Sequence, residues 1–124
     1  MEYIFDNERP IYIQLVEMIR IDIVSGNFKK GQKLPSVREL ALTMKVNPNT
    51  MQKALAELEY EKLIYTERTN GKYVTEDEKL IEKTKKQLAQ EKVNNYLNSM
   101  KDIGINYELA IKYLQELGGQ NGIS

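Results

Sequence analysis

The 124-residue sequence contains no cysteine and no histidine. Without cysteine there is no disulfide, no thiolate metal ligand and no thiol nucleophile. Without histidine, the usual zinc sites and the commonest general base are missing too. An enzyme would have only scattered carboxylates, lysines and hydroxyls to work with, so neither catalysis nor a metal or cofactor is expected. No apolar run approaches the length that crosses a bilayer, and the N-terminus lacks a signal-peptide pattern. A cytoplasmic protein with no membrane partner is therefore expected. Net charge is lacking as well, because 18 Lys and Arg balance 18 Asp and Glu. Their distribution matters more than the sum. Between residues 29 and 53, six basic residues (Lys29, Lys30, Lys33, Arg38, Lys45, Lys53) face one acid, Glu39, a local charge of six minus one, +5. Acids gather instead at the amino end, at 57–67 and at 76–78. A solvated charge run is one explanation, and a single positive surface suited to selective DNA contact is the other.

The chain is organised around residues 34–58, LPSVRELALTMKVNPNTMQKALAEL. Ser36 and Glu39 have the spacing of a capping box. Val37, Leu40, Ala41 and Met44 follow at i, i+3, i+4 and i+7, one buried stripe. Lys45 and Val46 make a turn, Asn47 caps the next helix and Pro48 takes its first position. Met51, Ala54, Leu55 and Leu58 repeat the stripe. Asn49, Gln52, Lys53 and Ala56 are left on the far side, a small, polar and basic face. Two helices about a tight turn, the second with such a face, are what a helix-turn-helix presents to the major groove.

Around this core, residues 1–9 form a short arm with Tyr3, Ile4 and Phe5 as anchors. Pro10 opens a helix running to about Ser25, stopped by Gly26 and Asn27. Residues 28–35 are a loop. After the recognition helix, Leu63 to Thr66 and Lys72 to Thr75 read as strands on either side of Asn70-Gly71, a strong hairpin signal. A helix, a helix-turn-helix and a hairpin make a winged helix, with Arg68 and Lys72 flanking the wing tip for phosphates or the minor groove; alternatively, they solubilise an edge. Residues 77–101 read as a long helix whose stripe (Leu80, Ile81, Leu88, Val93, Tyr96, Leu97, Met100) is too sparse to bury itself alone. Gly104 breaks it, and Asn106 caps a last helix that carries Ala110, Tyr113, Leu114 and Leu117 until Gly118-Gly119 ends it. The last five residues are expected to fray. Such a helical pair needs a partner, most simply its own copy.

Three stretches in order, PIYIQL at 10–15, LPSVRELA at 34–41 and VNPNTMQKALAELE at 46–59, closely resemble GntR-family bacterial transcription regulators. FDNERPIYIQL and the short C-terminal part are similar to the YtrA-type branch. The resemblance implies a homodimer on a two-fold symmetric double-stranded DNA operator, usually as a repressor, in a branch often found beside transporter operons. It implies contacts from Ser36 and Arg38, from Asn47, Pro48, Asn49, Thr50, Gln52 and Lys53, and from Arg68, Asn70 and Gly71, with Lys72 beside them. There are departures: the family's Arg-Gly-x-Gly wing appears as Arg68-Thr69-Asn70-Gly71, and its usual glycine before the first wing strand is Lys62, expected in a somewhat strained or altered turn. Gln52 stands where many relatives carry arginine, which points to an A·T-rich operator.

The sequence thus describes a mainly α chain with a small β-hairpin: an N-terminal winged helix-turn-helix at 1–75 and a C-terminal two-helix dimerisation segment at 76–124. Leu80, Leu88, Tyr96, Leu97, Met100, Leu109, Tyr113 and Leu114 are the expected dimer residues. Tyr96, Tyr107 and Tyr113 could instead line a pocket for a small-molecule effector of unknown identity, and a winged helix used only for protein–protein contact is the competing function. An effector, if one acts, would work by changing the angle between two reading heads.

Overall fold

The computed structural model of the chain describes residues 3–120. Its elements run α1 (Ile11–Val24), α2 (Val37–Met44), α3 (Pro48–Tyr60), β1 (Ile64–Glu67), β2 (Gly71–Val74), α4 (Glu78–Asp102) and α5 (Tyr107–Gln120). They divide into two compact units, Met1–Lys85 and Lys86–Ser124.

In the first unit, α3 packs on α1, α2 and β1. Its stripe of Met51, Ala54, Leu55 and Leu58 is completely buried in one core with Leu15, Ile19 and Ile23 of α1, Leu40, Ala41 and Met44 of α2, and Ile64 and Val74 of the hairpin. Each large aliphatic side chain so buried contributes roughly 1.5–3 kcal/mol relative to exposure. β1 and β2 pair antiparallel from Ile64↔Val74 to Glu67↔Gly71. The loop between them has three residues, not the two that Asn-Gly most often marks. Asn70 N–H donates to Glu67 O at 3.2 Å, and Gly71 follows at φ +102°, opening β2 with a conformation natural to glycine. The free edge of β2 is partly covered. Lys33 bridges Tyr73, and Leu34 N–H donates to Lys72 O at 2.8 Å.

Buried polar residues fasten the amino-terminal arm. The Gln14 side chain accepts from Asp6 N–H at 2.9 Å and donates to Asp6 O and Arg9 O at 3.0 and 2.8 Å. Asp22, also buried, accepts from the Tyr3 hydroxyl and the Asn27 amide, each at 3.1 Å. Burial, then the Asp22 charge and hydrogen bond, raise the Tyr3 hydroxyl above its ordinary pKa.

This unit extends past Thr75, the expected domain edge, into the first turns of α4. Leu80 and Ile81 pack on the winged-helix core, and Thr84 is buried with its hydroxyl on Leu80 O at 2.8 Å. Leu80, expected among the dimer residues, is half-buried and gives part of its apolar surface to this unit's core.

The second unit holds the rest of α4 and α5. Ile105 N–H donates to Met100 O and Gly104 N–H to Lys101 O, both at 2.9 Å, with Gly104 at φ +81°. This is a Schellman stop, its glycine in the left-handed position the motif requires. Asn106 caps α5 by accepting from Leu109 N–H at 3.0 Å, and the Tyr96 hydroxyl donates to Ala110 O at 2.7 Å. α5 does not end at Gly118-Gly119 as expected but continues to Gln120. Glycine costs a helix about 1 kcal/mol without forbidding it, and only a left-handed turn would have ended it there. The expected fraying falls, Gln120 apart, outside the described residues.

Candidate nucleic-acid interface

The helix-turn-helix forms through the caps its sequence carries. Ser36 Oγ accepts from Glu39 N–H at 3.1 Å, and Glu39 Oε1 accepts from Ser36 N–H at 3.3 Å, closing the capping box. Asn47 Oδ1 accepts from Asn49 N–H at 2.7 Å, with Pro48 at the first helical position.

Both helices then stop in the same way. At the end of α2, Val46 N–H donates to Ala41 O and Lys45 N–H to Leu42 O. At the end of α3, Leu63 N–H donates to Leu58 O and Lys62 N–H to Glu59 O. These are Schellman motifs with lysine where glycine is usual: Lys45 sits at φ +57° and Lys62 at φ +66°. The strained or altered turn expected at Lys62 is a regular helix stop whose strain lies in the left-handed lysine itself.

Between these stops, the front of α3 is open. Asn49, Gln52 and Lys53 are exposed and Thr50 is half-buried. Ser36 and Arg38 are exposed at the start of α2, and Arg68, Asn70 and Gly71 at the wing tip. Neither Arg38, Gln52 nor Arg68 has a side-chain partner among the described residues. The Asn70 amide reaches Glu67 Oε2 only at 3.4 Å.

Lys72, expected beside the wing tip, points elsewhere. Its ammonium donates to Glu59 Oε1 at 2.6 Å and to Thr66 Oγ1 at 3.0 Å, and Thr66 also bonds Glu59. Burial pushes the Glu59 carboxyl up, but the Lys72 and Thr66 hydrogen bonds and the Lys72 charge outweigh it and hold the carboxyl below its ordinary value. Lys72 is a strut between wing and recognition helix, its charge spent on Glu59. Lys30 is likewise bound to Glu78. Lys53 rests its Nζ 3.8 Å from the centroid of the Tyr12 ring on α1.

Sequence reasoning passed over Lys33 as a contact. It is exposed and bridges Tyr73 through its backbone, and its Cε lies 3.6 Å from where a Cβ on Gly71 would be. Its place in the basic run from residue 29 was the available signal. The surface therefore offers unneutralised cations at Lys33, Arg38, Lys45 and Arg68, around the uncharged α3 front of Asn49, Thr50 and Gln52. That is an anion-seeking frame about a hydrogen-bonding centre.

The second unit has almost no interior. Among its described residues only Ala110 is buried, while Tyr96, Leu97, Met100 and Leu88 are half-buried. Val93, Leu114 and Leu117 are 55%, 52% and 55% exposed, and Leu109 and Tyr113 are exposed beside them. Val93, Tyr96, Leu97, Tyr107, Ile111 and Leu114, with Lys92, line an open groove of about 350 Å³. The expected dimer residues other than Leu80 all lie in this unit.

Comparison with known proteins agrees with the geometry. Residues 11–74 match the family described as bacterial regulatory proteins, gntR family. The chain is 36% identical over 110 residues to the HTH-type transcriptional repressor YtrA of Bacillus subtilis (strain 168), covering 87% of this chain and 84% of that one. Its fold is similar to a GntR family transcriptional regulator from Listeria monocytogenes, with 45% identity, a TM-score of 0.84, and 90% and 98% of the two chains covered. It is also similar to AraR(DBD), solved in complex with operator ORX1, with 29% identity, a TM-score of 0.55, and 60% and 96% covered. No helix among the described residues is long and apolar enough to cross a membrane. The chain belongs to the GntR family of bacterial transcription regulators, and residues 11–74 are its winged-helix DNA-binding part.

Proposed function

We propose that the chain is a repressor that binds a two-fold symmetric operator as a homodimer, each copy placing the front of α3 in the major groove. The carrying observation is that Arg38, Gln52 and Arg68 are exposed and have no side-chain partner among the described residues. Polar and cationic groups left free at the start of α2, the front of α3 and the wing tip suit base edges and phosphates. YtrA is named a repressor and AraR(DBD) is held on an operator, which supports the reading. The dimer is supported by the second unit, whose described apolar groups are, Ala110 apart, half-buried or exposed. Its interface would include Leu88, Tyr96, Leu97, Met100, Leu109, Tyr113 and Leu114. Transporter genes remain the proposed targets, and Gln52 favours adenine edges in the operator.

The test is a gel shift on a duplex selected by the chain from a random-sequence pool, with sedimentation alongside. A dimer whose shift weakens steeply with salt is expected. Arg38→Ala should weaken that shift with folding intact. Gln52→Ala should relax one base position per half-site, each contact contributing roughly 1–3 kcal/mol of discrimination. An absent or salt-insensitive shift would leave only a protein–protein module.

A further inference from the structure

The geometry points to Tyr12 as a positioning residue for DNA binding: its ring carries the Lys53 ammonium to the α1 side of the recognition helix, assigning Lys53 to the phosphate backbone and not to a base edge. This inference rests on the operator-binding reading above. On α3, Asn49, Gln52, Lys53 and Ala56 all face away from the buried stripe, but Lys53 lies on the flank toward α1. There its Nζ sits 3.8 Å from the centroid of the Tyr12 ring. Tyr12 is the second residue of α1 and is itself half-buried, so its ring is anchored. A lysine has a flexible four-carbon stem, and a ring face confines it through the attraction of a cation for the negative side of the π system.

The kind of partner matters as much as the distance. Glu57, one turn along the same helix, could have taken the ammonium, yet the two form no ion pair. Lys72 and Lys30, in contrast, are held by Glu59 and Glu78. A carboxylate orders a lysine by cancelling its charge, whereas a neutral ring orders it and leaves the full charge for an anion. Lys53 is thus the ordered and still cationic lysine of the α3 front. Held toward α1, it sits off the groove-facing centre formed by Asn49, Gln52 and Ala56, where the flanking phosphate chain passes.

The experiment compares Tyr12→Phe, Tyr12→Leu, Lys53→Met and the Tyr12→Leu/Lys53→Met double variant in the full-length chain. Affinity is measured against salt on the duplex selected by the unaltered chain and on single-base variants of it. Lys53→Met should weaken binding evenly over all sequences and make the log–log salt slope shallower by about one. Tyr12→Leu should cost about two- to fivefold in affinity, Tyr12→Phe almost nothing, and the double variant no more than Lys53→Met alone. NMR supplies a readout free of DNA: the Lys53 Cε protons should be shifted upfield by the ring in the unaltered chain and Tyr12→Phe, but not in Tyr12→Leu. A Lys53→Met loss confined to one base position would overturn the assignment. So would additive losses in the double variant, or a Tyr12→Phe loss as large as that of Tyr12→Leu. If Tyr12→Leu melts too early to assay, Lys53→Met and the Tyr12→Phe spectrum still decide. Absence of selective binding by the unaltered chain sinks the operator reading and this one with it, whereas intact binding with any of the contrary outcomes sinks this one alone.

Discussion

Lys72 Nζ lies 2.6 Å from Glu59 Oε1, so a wing strand is tied to the recognition helix by a charge pair whose side chains are only 16% and 32% exposed. Because the folded Glu59 carboxyl is held below its ordinary value of 4.5, its ionised form stabilises the fold. That contribution is complete above the ordinary value and is lost as pH falls through the lowered folded one. Glu59→Gln should therefore cost about 1 kcal/mol at neutral pH, the upper end for a pair still partly wet. The gap between unaltered and variant chains should close in acid. Urea titrations on both sides of that window check it; a gap that survives acid would assign the effect to shape instead of charge.

The same pair changes what the wing does to DNA. A lysine already neutralised by Glu59 releases few counterions when a phosphate approaches, whereas Arg68 has nothing to give up. Arg68→Ala should flatten the salt dependence of operator binding by about one unit of slope, and Lys72→Met by clearly less. Equal changes would mean that Lys72 leaves Glu59 when DNA arrives.

Lys62 occupies a left-handed position that glycine takes freely and a side chain takes at roughly 1–2 kcal/mol. Lys62→Gly relieves this and loses part of it to the greater freedom of unfolded glycine. A net gain of about 0.5–1 kcal/mol is expected, visible as a melting temperature several degrees higher. An unchanged or lower melting temperature would mean that the turn is not strained.

Cutting the chain after Lys85 instead of Thr75 should matter to the winged helix alone. Leu80, Ile81 and Thr84 cover its core, so the longer fragment should melt at the higher temperature, by a margin of order 2 kcal/mol for two half-buried aliphatics. Both fragments should sediment as monomers. A persistent dimer would move the interface out of the second unit.

The helix-turn-helix was legible almost residue by residue, because its signals are local. Ser36 with Glu39, Asn47 with Pro48, and the four-point stripes act within one or two turns of chain. The odd residue at Lys62 also declared itself, by standing where relatives have glycine. What was not legible acts across sequence: Lys72 is 13 residues from Glu59, and Tyr12 meets Lys53 only because α1 packs on α3. Asp22 and Gln14 were hidden for the opposite reason, since a polar residue inside an apolar helix pattern reads as surface until its partners are seen. Leu80 fitted the long-helix stripe whether it faced a second copy or its own winged helix, and its packing on the winged-helix core shows only in the folded chain. The wing strands were read at 63–66 and 72–75, each one residue further from the tip than β1 and β2 lie, because Asn-Gly signals a turn without fixing where the strands meet it.

Each end of the recognition helix is closed by backbone bonds and small caps, and only its inner stripe enters the core. The outward positions 49, 52 and 56 therefore carry no part of the architecture. They form a writable surface on a fixed frame, so randomised libraries at these sites should yield soluble, folded variants with new operator preferences. Divergence of target choice within such a lineage then needs no compensating change elsewhere in the winged helix.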